Sequence, residues 1–153
     1  MKLLFVCTGN TCRSPMAQVI AQEILRDPRF EGYVVDSAGV MAVDGCSASQ
    51  GAVQALGQIG MDASAHQSKM LTAQLASDYD IILTMTTSHK EAVCCMFPEF
   101  QNKVHLLSTY ADKLGDIPDP FGQSPRVYAE CRDCIFECTQ SVLEKLTANK
   151  VKE

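Results

Sequence analysis

MKLLFVCTGNTCRSPMA, residues 1–17, is the stretch on which the reading of the fold turns. Lys2–Val6 is a short apolar run behind one lysine, the pattern of a strand buried on both faces. Cys7–Arg13 is polar and carries one glycine, so it reads as a loop. Ser14-Pro15 has the form of a helix N-cap followed by proline at the first helical position. Met16, Val19, Ile20, Ile24 and Leu25 then recur at helical spacing up to Asp27-Pro28.

The same order continues along the chain. Tyr33–Ser37 reads as a second strand closed by Ala38-Gly39, and Ala48–Ile59 as a helix stopped by Gly60. Lys69–Ser77 is expected to be a short helix, Tyr79–Thr84 a third strand, Ser88–Phe97 a helix ending before Pro98, and Lys103–Leu107 a fourth strand. Gly115–Gly122 is a loop rich in Gly, Pro and Asp. Pro125–Asn149 reads as a long last helix with Val127, Cys131, Cys134, Ile135, Cys138, Val142 and Leu146 on one stripe. Strands alternating with helices predict one α/β domain over residues 1–153, a parallel sheet with helices on both faces. Ligands in such folds bind beyond the carboxyl ends of the strands, and the first strand ends at Cys7.

The totals narrow the function. A net charge of -5 argues against binding nucleic acid or an anionic membrane through a basic surface. No apolar stretch approaches a membrane span, and MKLLFVC turns polar too soon for a signal peptide. Eight cysteines without an export signal point to reduced thiols in a cytoplasm.

Cys7 and Arg13 form a C-x5-R pattern between a strand and a helix start. Backbone N–H groups of Thr8, Gly9, Asn10, Thr11 and Cys12 curling toward a helix N-terminus would make an anion nest. Gly9 is expected to permit a turn that a Cβ would hinder. Arg13 offers a planar fork matching two oxygens of a phosphoryl group. Cys7 at the mouth of this positive field would be favoured as a thiolate, a nucleophile able to attack phosphorus, with Ser14 donating a hydrogen bond to it. The leaving group then needs a proton. Asp119, held stiffly between Pro118 and Pro120, and Asp116, three residues earlier, are the local candidates to supply it.

CTGNTCRSPMA resembles the signature of the low-molecular-weight protein tyrosine phosphatases. The likeness extends to Ser37-Ala38-Gly39, to the strand containing Asp80 and to Asp119-Pro120-Phe121. It implies four parallel strands flanked by helices in a Rossmann-like arrangement. It also implies that Cys7 is the nucleophile, Arg13 the phosphate binder and Asp119 first acid and then base. Asn10, Ser14, Ser37 and His66 match positions that support the loop. A reversible Cys7–Cys12 disulfide protecting the nucleophile is a further implication. Thr11 stands where tyrosine-specific members commonly carry a bulky aliphatic residue, and Gly122 follows Phe121, so a second aromatic wall is missing. These features, with Thr86–Lys90, resemble the bacterial protein arginine phosphatase branch, whose substrates are phosphorylated proteins. Phosphotyrosine is the alternative substrate. Thiol-coupled arsenate reduction and non-catalytic phosphate binding are more distant readings.

Neither a metal nor an organic cofactor is required by this chemistry. Cys131, Cys134 and Cys138 are expected to be buried small hydrophobes rather than zinc ligands, and Cys94-Cys95 to pack in a helix. His89 and His105 carry no assigned role, and a monomer is expected.

Overall fold

The computed structural model describes residues 1–150; the last three positions of the expected domain lie outside the described residues. The chain forms β1 (Lys2–Cys7), α1 (Arg13–Ile24), β2 (Val34–Gly39), α2 (Gln50–Gly57), α3 (Ala73–Asp78), β3 (Ile81–Thr84), α4 (Thr87–Met96), β4 (Val104–Leu106), α5 (Leu107–Tyr110) and α6 (Pro125–Lys150). Two 3-10 turns, Pro28–Phe30 and Pro98–Lys103, complete the regular structure. The four strands are parallel in the order β2-β1-β3-β4. The chain therefore leaves β1 in one direction to β2 and later returns to its other side with β3. The crevice beyond the end of β1 is the switch point of the sheet.

β1 explains its own apolar run. Leu3 and Phe5 point into a core with Met16 and Ile20 of α1, Leu56 of α2 and Ile135, Val142 and Leu143 of α6. Leu4 and Val6 point the other way, to Leu71, Ala76 of α3, Ile82, Val93 of α4 and Val104. Both faces of the strand are covered, so alternation between apolar and polar residues has no place in it. Cys7 lies on the Leu3–Phe5 face and points toward α1.

Three boundaries differ from the sequence reading, each for a local reason. Helix α1 starts at Arg13, with Cys12 at the N-cap position and no side chain capping it. Ser14 is thus inside the first turn, free for another partner. Residues 69–72 are extended rather than helical, because Met70 bridges Gly39 in parallel and Lys69 O and Leu71 N bond the Gly39 backbone. Helix α3 begins only at Ala73, where the Thr72 hydroxyl accepts from Leu75 N. β2 runs on through Gly39, which is in register with Cys7. A Cβ at Gly39 would collide with the Thr8 carbonyl and the Ala42 side chain, so glycine here allows β2 to approach the loop after β1.

Candidate active site

The loop from Thr8 to Cys12 closes on itself through Asn10, which has φ 56 and is fully buried. Asparagine is among the few residues that tolerate this left-handed conformation. Its side chain is the hub of the loop. Asn10 Oδ1 accepts from Lys69 N at 3.0 Å, and Nδ2 donates to Ser14 Oγ at 2.8 Å and to Ser37 Oγ at 2.9 Å. Ser37 Oγ in turn donates a hydrogen bond to Gln18 Oε1. Ser14 Oγ, already accepting from Asn10, lies 2.8 Å from Cys7 Sγ and 3.5 Å from Ala38 O, and its proton can be donated to the sulfur. The sulfur is thereby offered a donor, which suits an anionic sulfur. His66 secures the same loop from outside: its Nε2 donates to Asn10 O at 2.7 Å. Burial pushes the His66 pKa down, partly offset by that bond, so the ring holds its role as a neutral donor.

The backbone N–H groups of Thr8, Gly9, Asn10, Thr11 and Cys12 donate to no acceptor among the described residues. Beside them stands the uncapped N-terminus of α1. Together they form a ring of unused donors, the arrangement that favours an anion.

Arg13 is buried, and Nη1 donates to Ile117 O at 2.9 Å. Its Nε is buried and has no acceptor among the described residues. Nη2 is 3.7 Å from Asp119 Oδ2. One edge of the guanidinium is spent on anchoring, and the Nε–Nη2 edge remains to meet two oxygens. The loop bearing Asp119 is fixed at the residue before its prolines: Ile117 is buried, donates to Met85 O and accepts from Arg13. Asp119 itself is half exposed, its Oδ1 accepting from Phe121 N. Asp116 is committed elsewhere, its Oδ1 accepting from Thr87 N and Oγ1 at the start of α4.

Cys7, Thr8, Gly9, Thr11, Cys12, Arg13, Asp119 and Phe121 line one cavity of about 170 Å³. A tetrahedral anion seated in it would meet a sulfur nucleophile, a cationic fork, a ring of amides and a carboxyl group. That set can carry phosphoryl transfer to sulfur and protonation of a leaving group.

The chain matches the model of the family described as "Low molecular weight phosphotyrosine protein phosphatase" over residues 2–152. The chain belongs to this family. A protein-arginine-phosphatase of Geobacillus stearothermophilus is 39% identical over 146 residues, covering 95% of each chain. The low molecular weight protein-tyrosine-phosphatase PtpB of Staphylococcus haemolyticus is 34% identical, covering 97% of this chain and 99% of its own. A solved YwlE arginine phosphatase, a cysteine-to-serine mutant with a phosphorylated active site serine, superposes with a TM-score of 0.92 at 36% identity, all of both chains being covered.

In this low molecular weight phosphatase the loop's turn rests on a different residue from the one expected. The positive φ is at Asn10, and a Cβ on Gly9 would only reach Thr11 Oγ1 at 3.8 Å. Gly9 is therefore not needed for the turn. Cys7 and Cys12 are free thiols; Cys12 Sγ bonds Ser49 Oγ at 3.1 Å and lies 3.5 Å from Tyr128 Oη. Among the described residues Thr11 Oγ1 has only a long 3.8 Å contact with Cys12 Sγ, which leaves it available to a ligand. Cys131 and Cys138 are buried, and burial pushes both thiols up to about 12. Cys134 and Cys95 are exposed and Cys94 half-buried, so the expected packing role fails for the exposed pair. No group of three metal-ligating side chains is assembled among the described residues, and no helix among them is long and apolar enough to cross a membrane.

His89, which the sequence left without a role, is the residue the structure adds. It is buried, and Nε2 lies 2.7 Å from Thr8 Oγ1 at the cavity. Burial, then the Arg13 charge, hold its pKa down to about 4, against a weaker pull upward from Asp119 and Asp116. No spacing marks such a residue; only the capped first turn of α4, with Thr86 accepting from His89 N, brings it to the loop. The shift has a consequence for stability. In the unfolded chain the ring binds its proton near pH 6.5, but the folded chain resists it until about pH 4. The neutral ring's contribution is present above 6.5 and is lost as pH falls toward 4. Chemical denaturation at pH 7 and pH 4.5 is expected to show a loss on the order of 2–3 kcal/mol from this group. A His89→Gln variant lacks that part of the slope, and identical pH slopes in the two proteins contradict the assignment.

Proposed function

We propose that this chain is a protein arginine phosphatase, working through a phosphocysteine on Cys7. One observation carries the reading: unused backbone donors, the free Nε–Nη2 edge of Arg13 and the Asp119 carboxyl converge on a cavity whose nucleophile is Cys7. In the first step the Cys7 thiolate forms a bond to phosphorus while the P–N bond breaks. Asp119 gives its proton to the departing guanidino nitrogen. In the second step the Asp119 carboxylate takes a proton from water, whose oxygen attacks phosphorus. The S–P bond breaks, releasing phosphate and the thiolate. Arg13, the amides from Thr8 to Cys12 and Ser14 hold the phosphoryl oxygens and the sulfur throughout.

The side chain carrying the phosphoryl group is read from the wall of the cavity. Thr11 presents a small polar group there, and Phe121 is the one aromatic residue lining it. A phosphorylated guanidino group is planar and rich in N–H donors, and the Thr11 hydroxyl can accept from it. The similarity to proteins named protein-arginine-phosphatase supports the same reading. Cytoplasmic location, a monomeric state and phosphorylated proteins as partners complete the proposal.

The test is the ratio of kcat/KM for a phosphoarginine protein and a phosphotyrosine peptide, measured under reducing conditions. Phosphoarginine is expected to win, and Thr11→Ile to shift the ratio toward phosphotyrosine by about tenfold or more, the effect of losing one hydrogen bond and adding apolar contact. A wild type preferring phosphotyrosine makes the chain a tyrosine phosphatase, with Thr11 a variant of no consequence for choice of substrate.

A further inference from the structure

We propose that His89 is a positioning residue for phosphate recognition: its Nε2–H holds the Thr8 hydroxyl so that the hydroxyl proton is donated to a phosphoryl oxygen in the cavity. The inference rests on reading that cavity as a phosphoryl site and assigns two residues outside the cysteine, arginine and aspartate chemistry. Thr8 follows the nucleophile directly and lines the cavity, and its side chain is exposed to it. The one side-chain partner of its hydroxyl among the described residues is His89 Nε2, at 2.7 Å.

The direction of that bond decides what Thr8 can do. A neutral imidazole carries one N–H and one bare nitrogen. His89 is buried beside the Arg13 cation, which favours the neutral ring. Its Nδ1 is buried with no partner among the described residues. An orphaned buried N–H is rarer in folded proteins than an acceptor left short of donors, so the proton belongs on Nε2 and the lone pair on Nδ1. Nε2–H then donates to Thr8 Oγ1, and the threonine proton is left to point into the cavity. The opposite tautomer would turn the threonine proton away and present an oxygen lone pair to an anion.

The ring is held firmly enough to impose this. His89 N donates to Thr86 Oγ1, and the neighbouring Thr87 N and Oγ1 donate to Asp116. The first turn of α4 is thus tied to the loop that carries Asp119, and through His89 it is tied to the loop that carries Cys7. Helix α4 sets the distance between the two halves of the site.

The experiment is a titration of inorganic phosphate followed by backbone amide resonances, which needs no turnover, on the wild type, Thr8→Val, His89→Phe, the double variant and His89→Gln. Steady-state KM and kcat are measured beside it. The phosphate dissociation constant is expected to rise about ten- to a hundredfold in Thr8→Val and by the same factor in His89→Phe, the effect of one hydrogen bond to a charged group. The double variant should be no weaker than either single one. His89→Gln, whose side-chain N–H can reach Thr8, should restore binding. KM should rise in parallel with the dissociation constant, and kcat should change less. A Thr8→Val protein that binds phosphate like the wild type overturns the proposal, as do additive losses in the double variant. Should His89→Phe not fold, Thr8→Val and His89→Gln decide the matter alone. A wild type that binds no phosphate refutes the reading of the cavity itself, a different outcome from an unaltered Thr8→Val.

Discussion

Cys7→Ser is expected to lower turnover of every phosphorylated substrate by at least about four orders of magnitude, the scale seen when a covalent nucleophile is removed. The substitution is nearly isosteric, and Cys7 sits at 3% exposure between β1 and α1, so the fold should survive. What is lost is the ease of forming the anion. The Ser14 hydroxyl, the loop amides and the start of α1 supply donors around the atom at position 7. Donors stabilise an anion once formed, and a thiol loses its proton far more readily than an aliphatic hydroxyl. Among the described residues no carboxylate or imidazole bonds the sulfur to take a proton from serine in its place. Phosphate should still bind, because Arg13 and the amides are untouched. Rate assays with a limit of detection below 10⁻⁴ of wild type, with a phosphate titration on the same samples, separate the outcomes. Normal turnover would refute the covalent route. The serine phosphorylated in the solved YwlE mutant suggests mass spectrometry as a companion measurement, since a slow single transfer would leave the phosphoryl group on the serine.

The order of elements was legible because each strand and helix carries its own pattern. Lys2–Val6 reads as a strand since both of its faces are buried, and α6 reads as a helix since Ile135, Val142 and Leu146 repeat along one side. Segment 69–72 was misread for the converse reason. Its residues are acceptable in a helix, and distant partners, the backbone of Gly39 with the side chains of Asn10 and Asp44, make it extended. Long-range pairing outranks local preference there, and one chain read in order does not display the pairing. Cys134 failed similarly: periodicity places it on the stripe, and only the folded arrangement leaves it exposed.

The centre of the site was legible because it is local. Cys7 to Ser14 are contiguous, so the loop and the helix N-terminus that serve an anion appear together. Asp119 was singled out through its prolines and the family likeness, and the structure brings it to the cavity, whereas Asp116 bonds Thr87. His89 was invisible for a physical reason. A lone histidine in the first turn of an amphipathic helix looks the same whether it faces solvent or a loop built from residues eighty positions earlier. Asn10 was counted as loop support, but its carriage of the turn was credited to Gly9. Glycine is the usual residue for such a turn, and here the side-chain bonds to Ser14, Ser37 and Lys69 stabilise asparagine in that conformation instead.

Asp119→Asn is expected to slow turnover of phosphoarginine by roughly 10²–10⁴-fold, the range for a lost general acid, while phosphate affinity changes little. The ion pair with Arg13 is long, at 3.7 Å, and half exposed on the aspartate side, so its loss removes little binding. The Phe121 N–H can still be accepted by the amide oxygen, and Ile117 still anchors the loop. The effect should depend on the leaving group. A guanidino nitrogen leaves poorly without a proton, so its transfer to Cys7 becomes the slow step. A nitrophenolate leaves well unaided, so the first step persists, and the missing base slows attack of water on the phosphocysteine. Rapid mixing with nitrophenyl phosphate should then show a burst of one product per enzyme followed by a slow steady rate. Asp116→Asn serves as the control: it weakens the anchoring of α4, lowers the melting temperature and leaves leaving-group dependence unchanged. A burst in Asp116→Asn with none in Asp119→Asn would exchange the two roles. Equal slowing of the first step for both substrates in Asp119→Asn, with no burst from nitrophenyl phosphate, would mean that the carboxylate positions Arg13 rather than moving protons.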